Sequence, residues 1–152
     1  MTRFFSDLQA LAACVGQSVA LSDWVVVTQE QIDQFAEATG DKQWIHIDVE
    51  RARQGPFGAP VAHGFLTLSL LPRLFAAAFR IEQPTTGVNY GLNKVRFISP
   101  VRVGSRIRAD IQLAGAEAVS GGMQFTWRAT IELEGADKPA CVAEWILRRY
   151  PA

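Results

Sequence analysis

The sequence predicts an α+β fold in which an antiparallel β-sheet wraps around one apolar helix. Residues 61–79 are apolar almost throughout, and a helix that is apolar on all sides has to be buried in a core. The second half of the chain supplies the sheet through four successive segments of strand character. They are residues 88–98, 106–113, 123–133 and 140–150. This order of elements is typical of an α+β domain, and we expect one domain over residues 1–152.

The clearest strand signal is a strict alternation within residues 123–133. Apolar side chains occupy every second position there, at Phe125, Trp127, Ala129 and Ile131. Because side chains of a strand point to opposite faces in turn, these four share one face. The strand is therefore predicted to have one buried and one solvent-facing side, with Gly121-Gly122 as the turn before it.

The first half of the chain predicts a β segment, a capped helix and a long loop. Residues 19–27 are rich in valine, and Thr28 and Gln31 then have the spacing of a helix capping box. Gly40 is suited to end that helix, because glycine adopts the left-handed conformation easily. Residues 41–62 show no sustained period and carry two glycines and two prolines. They predict a long ordered loop, and such loops in compact domains are usually functional.

The charge balance argues against a nucleic acid partner. The 152 residues include 15 basic and 15 acidic side chains, with 49% apolar residues, which is ordinary for a globular protein. A nucleic acid surface normally requires a basic excess. Cys14 and Cys141 fit no metal-ligand spacing, so we interpret them as two buried thiols.

We expect a cytoplasmic protein that does not enter a membrane. The apolar run also contains three residues that are costly in hydrocarbon, His63, Pro72 and Arg73. Residues 11–14 resemble the cleavage box of a bacterial lipoprotein, but Asp7 and Gln9 interrupt the apolar stretch that a signal peptide needs.

The candidate chemistry lies in and beside the long loop. The only two histidines are His46 and His63, and Asp41 lies five residues before His46. A carboxylate beside an imidazole can hold a water molecule and move protons near neutral pH. The residues alone leave other interpretations open, since Asp41 could cap backbone amides and His46 could be a structural histidine. Their spacing matches no zinc-ligand pattern, so no metal site is expected.

Two residues of the apolar helix could contact a ligand. Gly64 lies near its predicted start, where unpaired N–H groups could meet a ligand carbonyl. Ser69 could bind substrate or could bond to a carbonyl of its own helix.

A series of spaced residues makes the prediction specific. It runs from Thr39-Gly40-Asp41 through Gln43-Trp44-Ile45-His46 to Ala62-His63-Gly64-Phe65-Leu66 and Ser69. This series resembles the hydration motif of the (R)-specific enoyl-CoA hydratases, the MaoC-like dehydratase family, and in its variant form the nodulation-protein-N-like branch. Asn89-Tyr90-Gly91 and Val95-Arg96-Phe97 extend the resemblance over nearly the full chain.

The resemblance implies a hot-dog fold, a homodimer with acyl pockets near the subunit interface, and an acyl-CoA substrate. It implies no cofactor, since CoA is part of the substrate. Asp41 and His46 would be the catalytic pair. They would deliver the hydroxyl of one water to C3 of a trans-2-enoyl thioester and a proton to C2, giving an (R)-3-hydroxyacyl-CoA.

The same resemblance implies roles for four further residues around the substrate. Gly64 would polarise the thioester carbonyl through its amide, and Ser69 and His63 would support substrate binding. Gln43 stands where the usual motif has asparagine, a residue that helps to orient the water. Trp44 stands where the motif has proline, so the rigid turn of proline is lost.

Two other functions stay open. A hot-dog thioesterase would attack the thioester carbonyl with water, but such enzymes usually depend on a carboxylate on or near the central helix, and residues 63–79 contain none. A non-catalytic subunit that binds acyl thioesters is the other alternative, although it would not need both Asp41 and His46.

Overall fold

The computed structural model describes residues 1–152, and its main feature is an antiparallel sheet curled around two consecutive helices. The elements in chain order are β1 (Arg3–Phe5), α1 (Leu8–Ala12), β2 (Ser18–Leu21), β3 (Val25–Val26), α2 (Gln29–Thr39), α3 (Trp44–Ile47), α4 (Val49–Arg53), α5 (Gly64–Ser69), α6 (Leu71–Ala78), β4 (Phe79–Ile81), β5 (Thr85–Phe97), β6 (Arg106–Val119), β7 (Gly122–Leu133) and β8 (Cys141–Pro151).

The four predicted strands are confirmed, and they form the long strands of the sheet. The strand order is β2-β6-β7-β8-β5, with β3 also paired to β6, and all neighbours are antiparallel. β6 runs six residues beyond its predicted end at Leu113 because it continues to a tight turn at Ser120 and Gly121. Gly121 has φ of 78°, which favours glycine there.

The alternation in β7 also holds, and it builds the core. Phe125, Trp127, Ala129 and Ile131 are fully buried. Phe75 of α6 packs edge-on against Trp127, with ring centroids 5.2 Å apart. Aromatic contacts of this geometry add to the stabilisation that burial of apolar area provides.

The central helix begins at Gly64 as predicted and is interrupted just before Pro72. Leu70 separates α5 from α6, and its N–H donates to the Leu66 carbonyl at 3.1 Å. Proline at position 72 has no N–H, so the regular helix ladder cannot continue through it. Within one chain, the sheet leaves one side of the helix uncovered. Phe65 is 68% exposed, and the face that it shares with Ser69, Arg73 and Ala76 is open.

Two parts of the chain differ from the sequence prediction. Residues 41–62 include the short helices α3 and α4 rather than a loop alone. Asp48 caps α4 by accepting a hydrogen bond from Arg51 N–H at 3.1 Å. Near the N-terminus, β1 pairs in parallel with β4. Such three-residue strands depend on a partner distant in sequence, so no local pattern marks them.

Two further observations concern the thiols and the helices. Cys14 and Cys141 are both buried and unbonded to one another, as predicted. No helix has the length and apolar character needed to cross a lipid bilayer.

Gly122 offers a test of how closely β7 and β8 approach at the end of the sheet. A methyl group at this position would lie 2.3 Å from the carbonyl oxygen of Arg149. We expect Gly122→Ala to lower the free energy of unfolding by about 1–3 kcal/mol, as overpacking typically does. Urea unfolding monitored by tryptophan fluorescence would measure the change.

Gly115→Ala is the matched control. Its added methyl would meet Thr126 at an ordinary 3.7 Å, so we expect a change within about 0.5 kcal/mol. Equal effects of the two substitutions would show that the contact with Arg149 is not what requires glycine at position 122.

Candidate active site

Three polar side chains that are distant in sequence meet beside the central helix. Asp41 follows the end of α2, His46 lies in α3 and His63 directly precedes α5. One ligand-capable atom from each of the three lies within 4.8 Å of the others. His46 is 6% exposed and His63 is 3% exposed, and Asp41 is half-buried. The structure therefore brings the predicted pair together and adds His63 to it.

His46 is oriented by a backbone carbonyl. Its Nδ1 lies 2.6 Å from the carbonyl oxygen of Val61. A carbonyl can only accept, so Nδ1 carries the hydrogen and the neutral ring keeps a lone pair on Nε2. The backbone of His46 is held as well, because its carbonyl accepts from Gln29 Nε2 at 2.8 Å. A lone pair with a fixed direction is what a general base requires.

His63 connects Asp41 to His46. Its Nε2 donates to the backbone carbonyl of Asp41 at 2.8 Å, which leaves the buried Nδ1 without a hydrogen-bond partner. The ring stacks on His46 with centroids 3.7 Å apart and planes 22° apart. It also contacts Phe35, at a centroid distance of 4.9 Å. His63 thus fixes both the loop that carries Asp41 and the plane of the His46 ring.

Burial sets the protonation of His46. It lowers the pKa of the imidazole below its ordinary value of 6.5, and the nearby His63 acts in the same direction. The Val61 carbonyl and Asp41 oppose this shift but do not cancel it. The shift favours the neutral imidazole, which is the form that can accept a proton.

The ring geometry bears on metal binding. Each histidine already directs one nitrogen to a carbonyl, and the two rings are close to parallel. A metal ion normally lies near the plane of each imidazole that binds it, so one ring would first have to turn out of the stack. The arrangement as it stands suits proton transfer, and the absence of a metal site stays a prediction.

His46 and Gly64 line one apolar cleft of about 280 Å³. Its other walls are mainly apolar side chains, including Ile45, Phe57, Val61, Phe97, Ile98 and Val101. Asp41 is not part of this lining. A methyl group at Gly64 would lie 3.1 Å from the Phe97 ring, so glycine lets the phenyl ring approach the start of α5. His46 and the first residue of α5 therefore line one largely apolar space.

Ser69 and Gln43 lie farther from this centre. The Ser69 hydroxyl donates to the Phe65 carbonyl at 2.5 Å, which is the helix bond that the sequence left open as one alternative. Ser69 lines a separate groove together with Asn89 and Trp145. Gln43 is exposed, and its N–H points to the Asp41 carboxylate at 3.5 Å. Direct contacts of Ser69 and Gln43 with substrate stay predictions.

Three residues that shape the site have roles that the sequence did not indicate. Val61 acts through its carbonyl and Gln29 through a long-range contact. Phe97 belongs to the family resemblance, but nothing in the sequence placed its ring over Gly64. A main-chain acceptor can come from any residue type, and the other two contacts depend on tertiary packing.

Sequence comparison identifies a matching protein family and several similar proteins. Residues 10–134 match a protein family described as MaoC like domain. The chain is 54% identical over 147 residues to 3-hydroxyacyl-thioester dehydratase Z of Mycobacterium tuberculosis, which covers 96% of this chain and 97% of that protein. It is 42% identical over 143 residues to nodulation protein N of Rhizobium meliloti, with 92% and 89% covered.

Solved structures show the same fold at lower identity. The MaoC-like dehydratase from Rhodospirillum rubrum superposes with a TM-score of 0.75 at 20% identity, over 96% of this chain and 97% of that one. The (R)-hydratase from A. caviae involved in PHA biosynthesis gives 0.72 at 22% identity, over 90% and 96%. The predicted hot-dog fold is therefore confirmed.

The lowered pKa of His46 predicts a pH dependence of stability. Unfolded His46 takes up a proton near pH 6.5, whereas the folded protein does so only at lower pH. Below pH 6.5 the unfolded state therefore binds more protons, and the free energy of unfolding falls as the pH falls through the folded pKa. Urea unfolding at several pH values between 7.5 and 5 would measure the decline, with His46→Gln as the control. Parallel curves for the two proteins would contradict the assignment.

Proposed function

The chain belongs to the MaoC-like domain family of hydratases and dehydratases, and from this we propose that it adds water to a trans-2-enoyl-CoA with (R) stereochemistry, or catalyses the reverse dehydration. The motif resemblance had indicated this family. The observation that carries the proposal is the position of His46, which lines an apolar cleft with Gly64 and lies beside Asp41. Burial also lowers the pKa of its imidazole, which favours the form that accepts a proton. A relative with 54% identity over 96% of the chain has the name of a 3-hydroxyacyl-thioester dehydratase.

In hydration, one water would lie between Asp41 and His46. The Asp41 carboxylate accepts one hydrogen bond from it, and His46 Nε2 takes the other hydrogen as a proton. The hydroxide oxygen forms a bond to C3, and the C2–C3 π electrons move toward the thioester oxygen as an enolate. The proton on His46 then passes to C2, which restores the neutral imidazole and the thioester. Both additions come from the same face, because one dyad supplies them.

The developing enolate charge needs a hydrogen-bond donor. Gly64 is the first residue of α5, and an amide at that position has no acceptor within its own helix. We assign it to the thioester oxygen, where the apolar walls would strengthen the bond by excluding water. His63 would keep the dyad aligned, with Ser69 and Gln43 as the outer substrate contacts.

We further propose a homodimer through β5 and the open face of α5. β5 is at the end of the strand order, so its outer edge carries unpaired N–H and C=O groups. Val88, Tyr90 and Leu92 on this strand are 47%, 59% and 44% exposed, and Phe65 of the helix is 68% exposed. An exposed apolar edge of this kind is a site for pairing with another chain, and a second copy offers the same edge.

The dyad can be tested with crotonyl-CoA. We expect Asp41→Asn and His46→Ala each to lower kcat by about 10²–10⁴-fold, the usual contribution of a positioned acid–base group. Loss of absorbance at the enoyl-thioester band would measure turnover, and an (R)-specific coupling enzyme would report the stereochemistry.

Asp137→Asn, on an exposed turn between β7 and β8, is the matched control and should keep full activity. Free thiol release would be followed in parallel. Release of CoA without hydration would identify a thioesterase, and thioester binding without either reaction would identify a binding subunit.

The dimer can be tested at Leu92. We expect Leu92→Asp to reduce the molar mass in solution from two chains to one, because a carboxylate on the edge would have to be desolvated on pairing. Val26→Asp is the control, since Val26 is similarly exposed, at 46%, on β3. Sedimentation velocity would give the masses, and a monomeric wild type would rule the proposal out.

A further inference from the structure

We propose that Trp44 is the residue that positions His46. The packed indole holds in place the same backbone bend that the ring of a proline would fix covalently. The inference deepens the proposed function and rests on it, because it explains how the catalytic turn is fixed where the hydration motif has lost its proline. Three independent observations on α3 and α4 carry it.

The first observation is a slot for the indole at Gly55. A methyl group on Gly55 would lie 2.8 Å from Cζ3 and 3.0 Å from Cη2 of Trp44. Gly55 is not among the residues with positive φ, so its backbone conformation does not require glycine. What requires it is the close approach of the six-membered ring. Trp44 is therefore seated against the backbone just beyond the end of α4.

The second observation is a cation that covers the same ring. The guanidinium carbon of Arg51 lies 4.2 Å from the centroid of the Trp44 ring. This is within the range of a favourable cation–π contact. Arg51 belongs to α4, as does Ala52, whose carbonyl accepts from Gly55 N–H. The indole thus joins α3 to α4 through two separate contacts.

The third observation is the backbone at residues 43 and 44. Gln43 has φ of −58° and ψ of 142°, an extended N-cap conformation in which a following proline would be tolerated. Trp44 is the first residue of α3, the helix position that proline prefers, since its N–H has no acceptor within the helix. The backbone at this helix start is therefore compatible with proline, although a tryptophan occupies the site.

The need for such an anchor follows from the length of α3. The helix has four residues, too few to be stable by its own hydrogen bonds. His46 lies two positions after Trp44, and its N–H donates to the Gln43 carbonyl at 3.0 Å. If the indole leaves its slot, the turn at Gln43 can relax and the direction of His46 Nε2 changes. A displacement of about 1 Å in an active site can lower the rate by about 100-fold.

The test is a double-mutant cycle between positions 44 and 55. We expect Gly55→Ala to lower kcat on crotonyl-CoA by about 10-fold or more with KM little changed, because the methyl expels the indole and misaligns the base. Trp44→Pro should retain kcat within about threefold, since proline fixes the same turn. In that background Gly55→Ala should change kcat by less than about twofold, because no ring is left to displace.

Trp44→Ala provides a second background that does not depend on proline. It should itself lower kcat, and Gly55→Ala added to it should again have little further effect. Gly115→Ala, far from the site and with an ordinary contact at 3.7 Å, is the control and should leave kcat unchanged. All rates are measured well below the unfolding temperature of each variant.

A second readout separates this inference from the proposed reaction. The imidazole NMR signals of His46 should shift in Gly55→Ala and return toward the wild-type values in Gly55→Ala/Trp44→Pro. An inactive wild type with this pattern would reject the hydratase function and keep the positioning role. An active wild type in which Gly55→Ala has no effect, or has the same effect in every background, would overturn the positioning role alone.

Discussion

The hydrogen bond from His46 Nδ1 to the Val61 carbonyl is the interaction on which the site depends. It joins α3 to Val61, which lies just before the start of the central helix at Gly64. The neighbouring backbone bonds reinforce it, since Val61 N–H donates to Ile45 and Ala62 N–H donates to Val101. The segment 61–62 is therefore attached both to the candidate base and to the connection between β5 and β6. Movement of any of these parts would be transmitted to the imidazole.

The site combines two requirements that oppose each other elsewhere in proteins. An acyl chain favours apolar walls, whereas proton transfer needs polar groups that water would otherwise satisfy. The structure meets both by giving each buried histidine ring one main-chain partner. His46 Nδ1 donates to the Val61 carbonyl and His63 Nε2 donates to the Asp41 carbonyl, so each ring is held in place. The other nitrogen of each ring makes no hydrogen bond to the protein. The stacked rings have low solvent access, and burial together with the neighbouring His63 lowers the pKa of His46.

Local chemistry determined which elements could be predicted from the sequence. The capping box at Thr28 and Gln31, the left-handed Gly40 and the alternation in β7 depend on near neighbours, and all three are present. Asp41 and His46 are only five residues apart, so their proximity could be predicted for the same reason. The spaced resemblance added the hot-dog fold, which periodicity alone does not specify.

What could not be predicted depends on contacts between distant residues. The stack of His63 on His46, the Phe97 ring over Gly64 and the parallel pairing of β1 with β4 each bring together segments far apart in sequence. The short helices α3 and α4 are similar, because a four- or five-residue helix is stabilised mainly by its surroundings. The open face of the central helix could not be predicted because a large apolar residue such as Phe65 normally indicates burial, whereas here it is 68% exposed.

The burial of Cys141 has a practical and a chemical consequence. The side chain is fully enclosed, and desolvation raises the pKa of its thiol to about 11. At pH 8 the thiolate fraction is then about one in a thousand, and the thiolate is the form that reacts with disulfides and alkylating agents. Cys14 is buried as well. Cys141 in the folded enzyme should therefore react slowly with disulfides and alkylating agents, and colorimetric detection of liberated CoA should have little background from this thiol.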